Sequence, residues 1–210
     1  MTPWRIGRGW PDAAIQRYLA ALADRPVTAP TPADLLASPA AWTVERQDAI
    51  VGREPPGPPL PDGPFVRACR AVRAYRFADP RITRGHFEPP ELSSGSDLLV
   101  EAFAPPISML VGLRVGALLD EADDAHTIRG IRLDTLAGHV LDGSEWVIVQ
   151  KDHRTGTIGL RLDVQWRPSR LLNWWMRLGL RLLGRQTQRR WRRQAVRRLQ
   201  ALVVQRSTST

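Results

Sequence analysis

Two periods of hydrophobic and polar positions run along this chain, one near 3.6 residues and one of two. From Pro168 to about Val203, apolar residues fall at Leu171, Trp174/Trp175, Leu178, Leu182, Trp191, Ala195, Leu199 and Leu202, close to one face of a helix. Pro168 suits a first turn, where its missing N–H would be unpaired anyway, and Ser169 can cap nearby. The only breaks are Gly179 and Gly184, and the opposite face is almost entirely arginine. A helix with such a stripe needs an apolar surface to lie on.

The period of two supplies that surface. Trp42–Val51 reads as a strand, and candidate strands follow at Arg81–Phe87, Asp97–Phe103, Gly112–Glu121, Thr127–Asp134, Glu145–Lys151 and Thr157–Trp166. The last is clearest: Ile158, Leu160, Leu162, Val164 and Trp166 point one way, and Thr157, Arg161, Asp163 and Gln165 the other. Turn chemistry separates the strands, with Glu121–Asp124 making one hairpin and Lys151–Gly156 another, where Gly156 can take positive φ. Between the first strand and the rest, the segment 52–64 holds too many prolines for a regular element. Asp62 is then expected to cap a helix with Pro64 in its first turn and Phe65, Cys69 and Val72 as a buried stripe.

Six strands in succession imply an antiparallel meander with one face covered. The predicted class is α+β: a helix-grip arrangement in which a curved antiparallel sheet of about seven strands packs around the long C-terminal helix. Upstream, WRIGRGW (4–10) is an aromatic-basic lead-in. Pro11-Asp12 open a helix with Ile15, Leu19 and Leu22 on one face, and Pro26, Pro30 and Pro32 end it. The expected division is an N-terminal helical arm and linker at 1–41, packed on the domain, the domain itself at 42–206, and a disordered tail at 207–210.

Composition changes this picture in two places. Residues 164–210 carry 12 arginines and no Asp or Glu, so the net charge of +9 belongs to the terminal helix; the remainder is slightly acidic. Lys151 is the sole lysine. The chain has no run of about 18 apolar residues and no signal-peptide core at its start, so a cytoplasmic protein is expected, peripheral to a membrane at most. One cysteine excludes an internal disulfide, and four scattered histidines give no zinc signature. No metal and no cofactor are predicted.

The order strand, helix, six strands, long helix resembles the helix-grip superfamily, which includes START lipid-transfer domains, birch-pollen-allergen-like proteins and aromatase/cyclase domains. More specifically, WRIGRGW, VGREPPGPPLPDGPF (51–65), DPRITRGHF (79–87), DTLAGH (134–139), SEWVIVQKDHRTG (144–156) and WRPSRLLNWWMRLGLRLLG (166–184) resemble a small uncharacterised family near that superfamily. They span nearly the whole chain in order. The resemblance implies the fold and brings no established activity with it.

Chemistry is sought first in DTLAGH with Glu145 and Trp146 after it. A strand end carrying Asp134, a turn at Gly138 and then His139 can set a carboxylate and an imidazole at a cavity mouth, and a His–carboxylate pair does acid–base work near neutrality. Asp134, His139 and Glu145 are therefore the catalytic candidates, with none assigned. The competing reading has Asp134 and Thr135 end a strand and His139 cap the turn. His86 and Glu88 form a weaker case of the same kind. Candidate ligand-binding residues are Arg114, Asp134, His139, Trp166, Trp174 and Trp175, the tryptophans either core or lining a pocket entrance. Arg177, Arg181, Arg185, Arg189, Arg192 and Arg193 form the arginine face, read as a solvated face, an anionic-membrane surface or, last, a nucleic-acid surface.

The leading functional expectation is a noncatalytic protein binding a hydrophobic or amphipathic small molecule between sheet and C-terminal helix. An enzyme using the same cavity comes second, and a peripheral membrane or nucleic-acid adaptor third. Oligomeric state is not legible.

Overall fold

The structure is a computed structural model that describes residues 4–88, 90–169 and 191–204. Its strands are β1 (Trp4–Ile6), β2 (Thr43–Arg53), β3 (Thr83–His86), β4 (Asp97–Ala104), β5 (Ile107–Ala122), β6 (His126–Thr135), β7 (Leu141–Asp152) and β8 (Thr157–Pro168). The helices are α1 (Asp12–Ala20), α2 (Pro32–Ala37), α3 (Pro64–Arg73) and a C-terminal segment over 191–204, here α4.

All strand pairs are antiparallel, in the order β2-β8-β7-β6-β5-β4-β3, with β1 added beside β5. The lead-in WRI thus becomes an eighth strand, with Trp4 opposite Met109. Register shifts at Ile50/Gly52 and Val115/Ala117 bend the strands, as β-bulges do. The α+β class, the curved antiparallel sheet and the C-terminal helix are those read from the sequence.

Register decides the faces. Val147, Leu162, Ile131 and Val115 fall on one side and share a core with Phe65, Ala68, Cys69 and Val72 of α3 and Ala195, Leu199 and Val203 of α4. Each such fully buried aliphatic side chain contributes roughly 1.5–3 kcal/mol, so this packing fixes α4 across the sheet. Cys69 is part of the core, and burial pushes its thiol up to about 12. The N-cap of α3 is Gly63 rather than Asp62; Asp62 takes φ 53 and pairs with Arg70 at 2.8 Å.

On the outer face, α1 and the residues just after it cover part of β4 and β5. Ile15 and Leu22 pack on Leu99, Leu110 and Leu136. Gly112 makes room for this contact, because a Cβ there would stand 2.6 Å from Leu22 Cδ2. The chain after α1 is tied to the end of β6 by Thr28 N–H donating to Thr135 O at 2.7 Å.

The proline-rich segment after β2 is held by Lys151. Its side chain is 0% exposed, its Nζ lies 2.8 Å from Glu54 Oε1, and it donates to Pro55 O at 3.1 Å and Pro58 O at 2.9 Å. Beside it, Gly156 (φ 68) donates to Asp152 O and accepts from Glu54 N–H at 3.0 Å. A Cβ at Gly156 would meet Glu54 O at 1.8 Å, so the hairpin needs glycine twice over, for its angle and for its space.

Candidate functional site

Helices α3 and α4 cover one half of the inner face. The other half is built from the first residues of β2 and β7 and the last of β6 and β8. There Glu145 stands opposite Leu133 on one side and Val164 on the other, Gly143 and Thr43 flank Trp166, and Glu45 stands opposite Val164. Glu145 and Trp166 are diagonal neighbours on this face, at roughly 7–8 Å across a sheet.

Glu145 is the centre of the site. Burial pushes its carboxyl up to about 8. Its Oε1 has no hydrogen-bond partner among the described residues. By surface area, however, Glu145 is only half-buried, as are Met109 and Leu113 on the same face. At neutral pH this carboxyl keeps its proton and presents an O–H donor to an apolar surface. The indole Nε1 of Trp166 is a second donor that is buried without a partner among the described residues.

Two groups close the site from the helix side. Tyr75 sits 5.2 Å, ring to ring, from Phe77, which meets Trp191 edge-on at 6.0 Å. Burial pushes the Tyr75 hydroxyl up, and the charge of Glu145 adds to it, so the two face the same interior. Thr83 bonds the Tyr75 hydroxyl, and Trp191 Nε1 donates to Thr83 Oγ1 at 3.1 Å. Arg192 of α4 pairs with Glu45, while its own Nε lacks a partner among the described residues. Burial pulls the Arg192 guanidinium down from its ordinary value.

The three catalytic candidates do not converge. Asp134 is on the outer face, 3% exposed, and takes a two-pronged bond from Arg132 at 2.9 Å and 2.9 Å. Glu145 pairs with Leu133, one residue away and on the inner face. His139 lies in the turn after β6, which Gly138 makes with φ 95. Its Nδ1 accepts the N–H of Leu141 at 2.9 Å, and burial pulls the imidazole down to about 4. The DTLAGH stretch therefore ends a strand and caps a turn. Thr135 completes it by accepting Gly143 N–H at 2.8 Å and donating to Gly143 O at 3.0 Å.

Arg114, expected to bind ligand, is on the outer face instead. It holds Asp97 at 2.7 Å and 3.2 Å and donates to Leu22 O at 3.0 Å, fastening the end of α1 to the sheet. His86 is also on the outer face, 3.7 Å from Glu101, and Glu88 is exposed. Trp166 is on the inner face, as its strand periodicity indicated. Arg192, expected on the arginine surface, is 5% exposed and turned inward to Glu45; only Arg193 of that pair is exposed. Trp174, Trp175, Arg177, Arg181, Arg185 and Arg189 lie outside the described residues. Glu45, Tyr75 and Thr83 went unread. The signal for Glu45 was its parity, shared with Ala49 on the side that faces inward, whereas nothing local marks Tyr75.

Among the described residues, no three His, Cys, Asp or Glu side chains gather to hold a metal ion, and no helix is long and apolar enough to cross a membrane. None of the curated proteins matches the chain. Among solved structures it is similar to Ara h 8.0201 (11% identity, TM-score 0.46, 78% of this chain and 98% of that one). It is similar also to ginseng major latex-like protein 151 from Panax ginseng (12% identity, TM-score 0.45, 79% and 99%) and to a norcoclaurine synthase point mutant from Thalictrum flavumn (7% identity, TM-score 0.47, 78% and 94%). At these identities and scores the likeness says nothing of what the chain binds. Residues 26–198, most of the chain, match the family model described as Domain of unknown function (DUF1990), and the protein belongs to that family.

Proposed function

We propose that the protein binds a hydrophobic or amphipathic small molecule between the inner face of the sheet and its C-terminal helix, without transforming it. The observation that carries this reading is Glu145. The residue is only half-buried by area, yet its Oε1 is buried on the sheet's inner face with no hydrogen-bond partner among the described residues, and a buried polar atom left so is the kind of group that a bound ligand satisfies. The protonated carboxyl and the Trp166 N–H are placed to bond a ligand's oxygen, with Leu133, Val164, Met109 and Leu113 around its apolar body. Asp134 and His139 lie away from this face, so an acid–base reading retains Glu145 alone.

Native mass spectrometry on protein purified at low and then high salt tests the proposal. A discrete copurifying mass that survives high salt supports it, and the mass names the ligand class. Bare protein whose tryptophan fluorescence is also unmoved by long-chain alcohols, esters and carboxylic acids would overturn it. Exposed Arg193 on α4 supports a second reading, contact with anionic lipid. Retention on anionic vesicles that falls steeply with salt is its expected result.

A further inference from the structure

Strand β2 is one of the two open edges of the sheet, and its eleven residues present an unusual outer face. Val44 is 66% exposed and Ile50 57% exposed, with Arg46 and Asp48 between them. The order along this face is apolar, positive, negative, apolar. Arg46 is held upright by Asp163 of β8 (2.6 Å and 3.2 Å), and Asp48 by Arg161 (3.0 Å). Among the described residues, one side chain bonds a β2 backbone group from outside the sheet: Gln200 Nε2 donates to Ile50 O at 2.9 Å. No other described side chain bonds the β2 backbone from that side.

We propose that this edge pairs antiparallel with the same edge of a second copy of the chain, about a two-fold axis at Gln47. That register sets Val44 against Ile50 and Arg46 against Asp48, and the axis repeats both pairs. Each row across the joined sheet then reads Asp163, Arg46, Asp48, Arg161, alternating in charge over four strands, two from each copy. The neighbouring registers fail. Centred on Arg46, the pairing sets Arg46 on Arg46 and Val44 on Asp48; centred on Asp48, it sets Asp48 on Asp48 and Arg46 on Ile50. Like charges directly opposite destabilise a strand pair, while opposite charges and β-branched pairs stabilise it. The register shift lies beyond Ile50, so Thr43–Ile50 is regular, and a regular strand edge with exposed apolar residues is one that can pair with another strand. The occupant follows from the complementarity: the face is complementary to itself.

Light scattering behind a sizing column, on the full chain, decides the matter. Wild type is expected to be dimeric at high concentration and to dissociate on dilution. Arg46→Asp sets Asp against Asp in both symmetry-related pairs, and Asp48→Arg sets Arg against Arg, so each alone dimerises roughly 30-fold more weakly. Circular dichroism matching wild type shows that the variants remain folded. Mixed together, the two variants form a heterodimer in which every facing pair is again Asp against Arg, and the dimer returns. A monomeric wild type would overturn the proposal, and so would a dimer indifferent to both reversals or a mixture of folded variants that stays monomeric.

Discussion

Lys151→Met tests how the proline-rich loop is fixed to the sheet. The ammonium has three N–H donors and three oxygens around it: Glu54 Oε1 at 2.8 Å, Pro55 O at 3.1 Å and Pro58 O at 2.9 Å. The Glu54 side chain is 1% exposed, and neither of its oxygens has a well-aligned hydrogen bond among the described residues. The ion pair is thus its main compensation for leaving water. Removing one partner of such a buried pair costs about 3–5 kcal/mol, because the other charge stays buried alone. Against a typical total of about 5–15 kcal/mol this is a large share. In a chain of this size it lowers the melting temperature by roughly 6–20 °C. Lys151→Arg is expected to lose stability in the same direction, since a planar guanidinium cannot meet three acceptors arranged for an ammonium. Adding Glu54→Gln to Lys151→Met removes the stranded charge and recovers part of the loss. Urea midpoints followed by tryptophan fluorescence measure these three variants and Glu54→Gln alone. A Lys151→Met variant within about 1 kcal/mol of wild type, or a double variant as unstable as the two single losses combined, refutes the reasoning.

Two further predictions follow from titration. His139 is held at about 4 when folded and titrates near 6.5 when unfolded, so the unfolded chain binds the proton first and stability falls as pH drops through that window. His139→Asn, which keeps an acceptor for Leu141 N–H, flattens this acid limb in urea midpoints taken on either side of the window; an unchanged slope counts against the assignment. Glu145 has the opposite sign. Folding raises its carboxyl from 4.5 to about 8, so the folded state retains a proton that the unfolded chain has released, and stability falls as pH rises between those values. Glu145→Gln keeps the shape and a donor without the charge. Its stability relative to wild type should increase across that window, and a difference that ignores pH would show that the carboxyl is not held neutral.

The strands were legible because their alternation is strong where both partners are regular. In β8, Ile158, Leu160, Leu162, Val164 and Trp166 all turn inward, as the period of two requires. Strand β2 was legible as a strand but not in its facing. Its exposed residues include Val44 and Ile50, while Thr43, Glu45 and Gln47 point inward, so hydrophobicity alone assigns its faces the wrong way round. Arg192 misled for a related reason. It stands among arginines on a helix, and only the register of β2 across the core shows that Glu45 waits for it. The site failed in a different manner. Asp134 and Glu145 are close in sequence, but Glu145 lies opposite Leu133 in the ladder, and one residue's offset in a strand reverses the face. His139 drew attention as an imidazole beside a carboxylate, whereas its nitrogen is occupied by the backbone of its own turn.

The polar residues of the family-like motifs divide by whether their bonding capacity is used within the chain. Thr135 is shared between β6 and β7, His139 closes a turn and Lys151 holds a loop. These stretches are distinctive because each solves a problem of architecture. Glu145 and Trp166 belong to the same motifs but bury polar atoms that have no partner among the described residues, and they are diagonal neighbours on one face. Trp10, Trp42 and Ser108 also bury partnerless atoms, but Ser108 faces outward from β5 and Trp42 lies under the guanidinium of Arg167, away from this face. A buried polar group without a partner costs about 1–3 kcal/mol, and two on one face make a standing destabilisation that a better-packed apolar pair would not carry. Under the proposed function, a bound molecule with an oxygen between them offsets that cost.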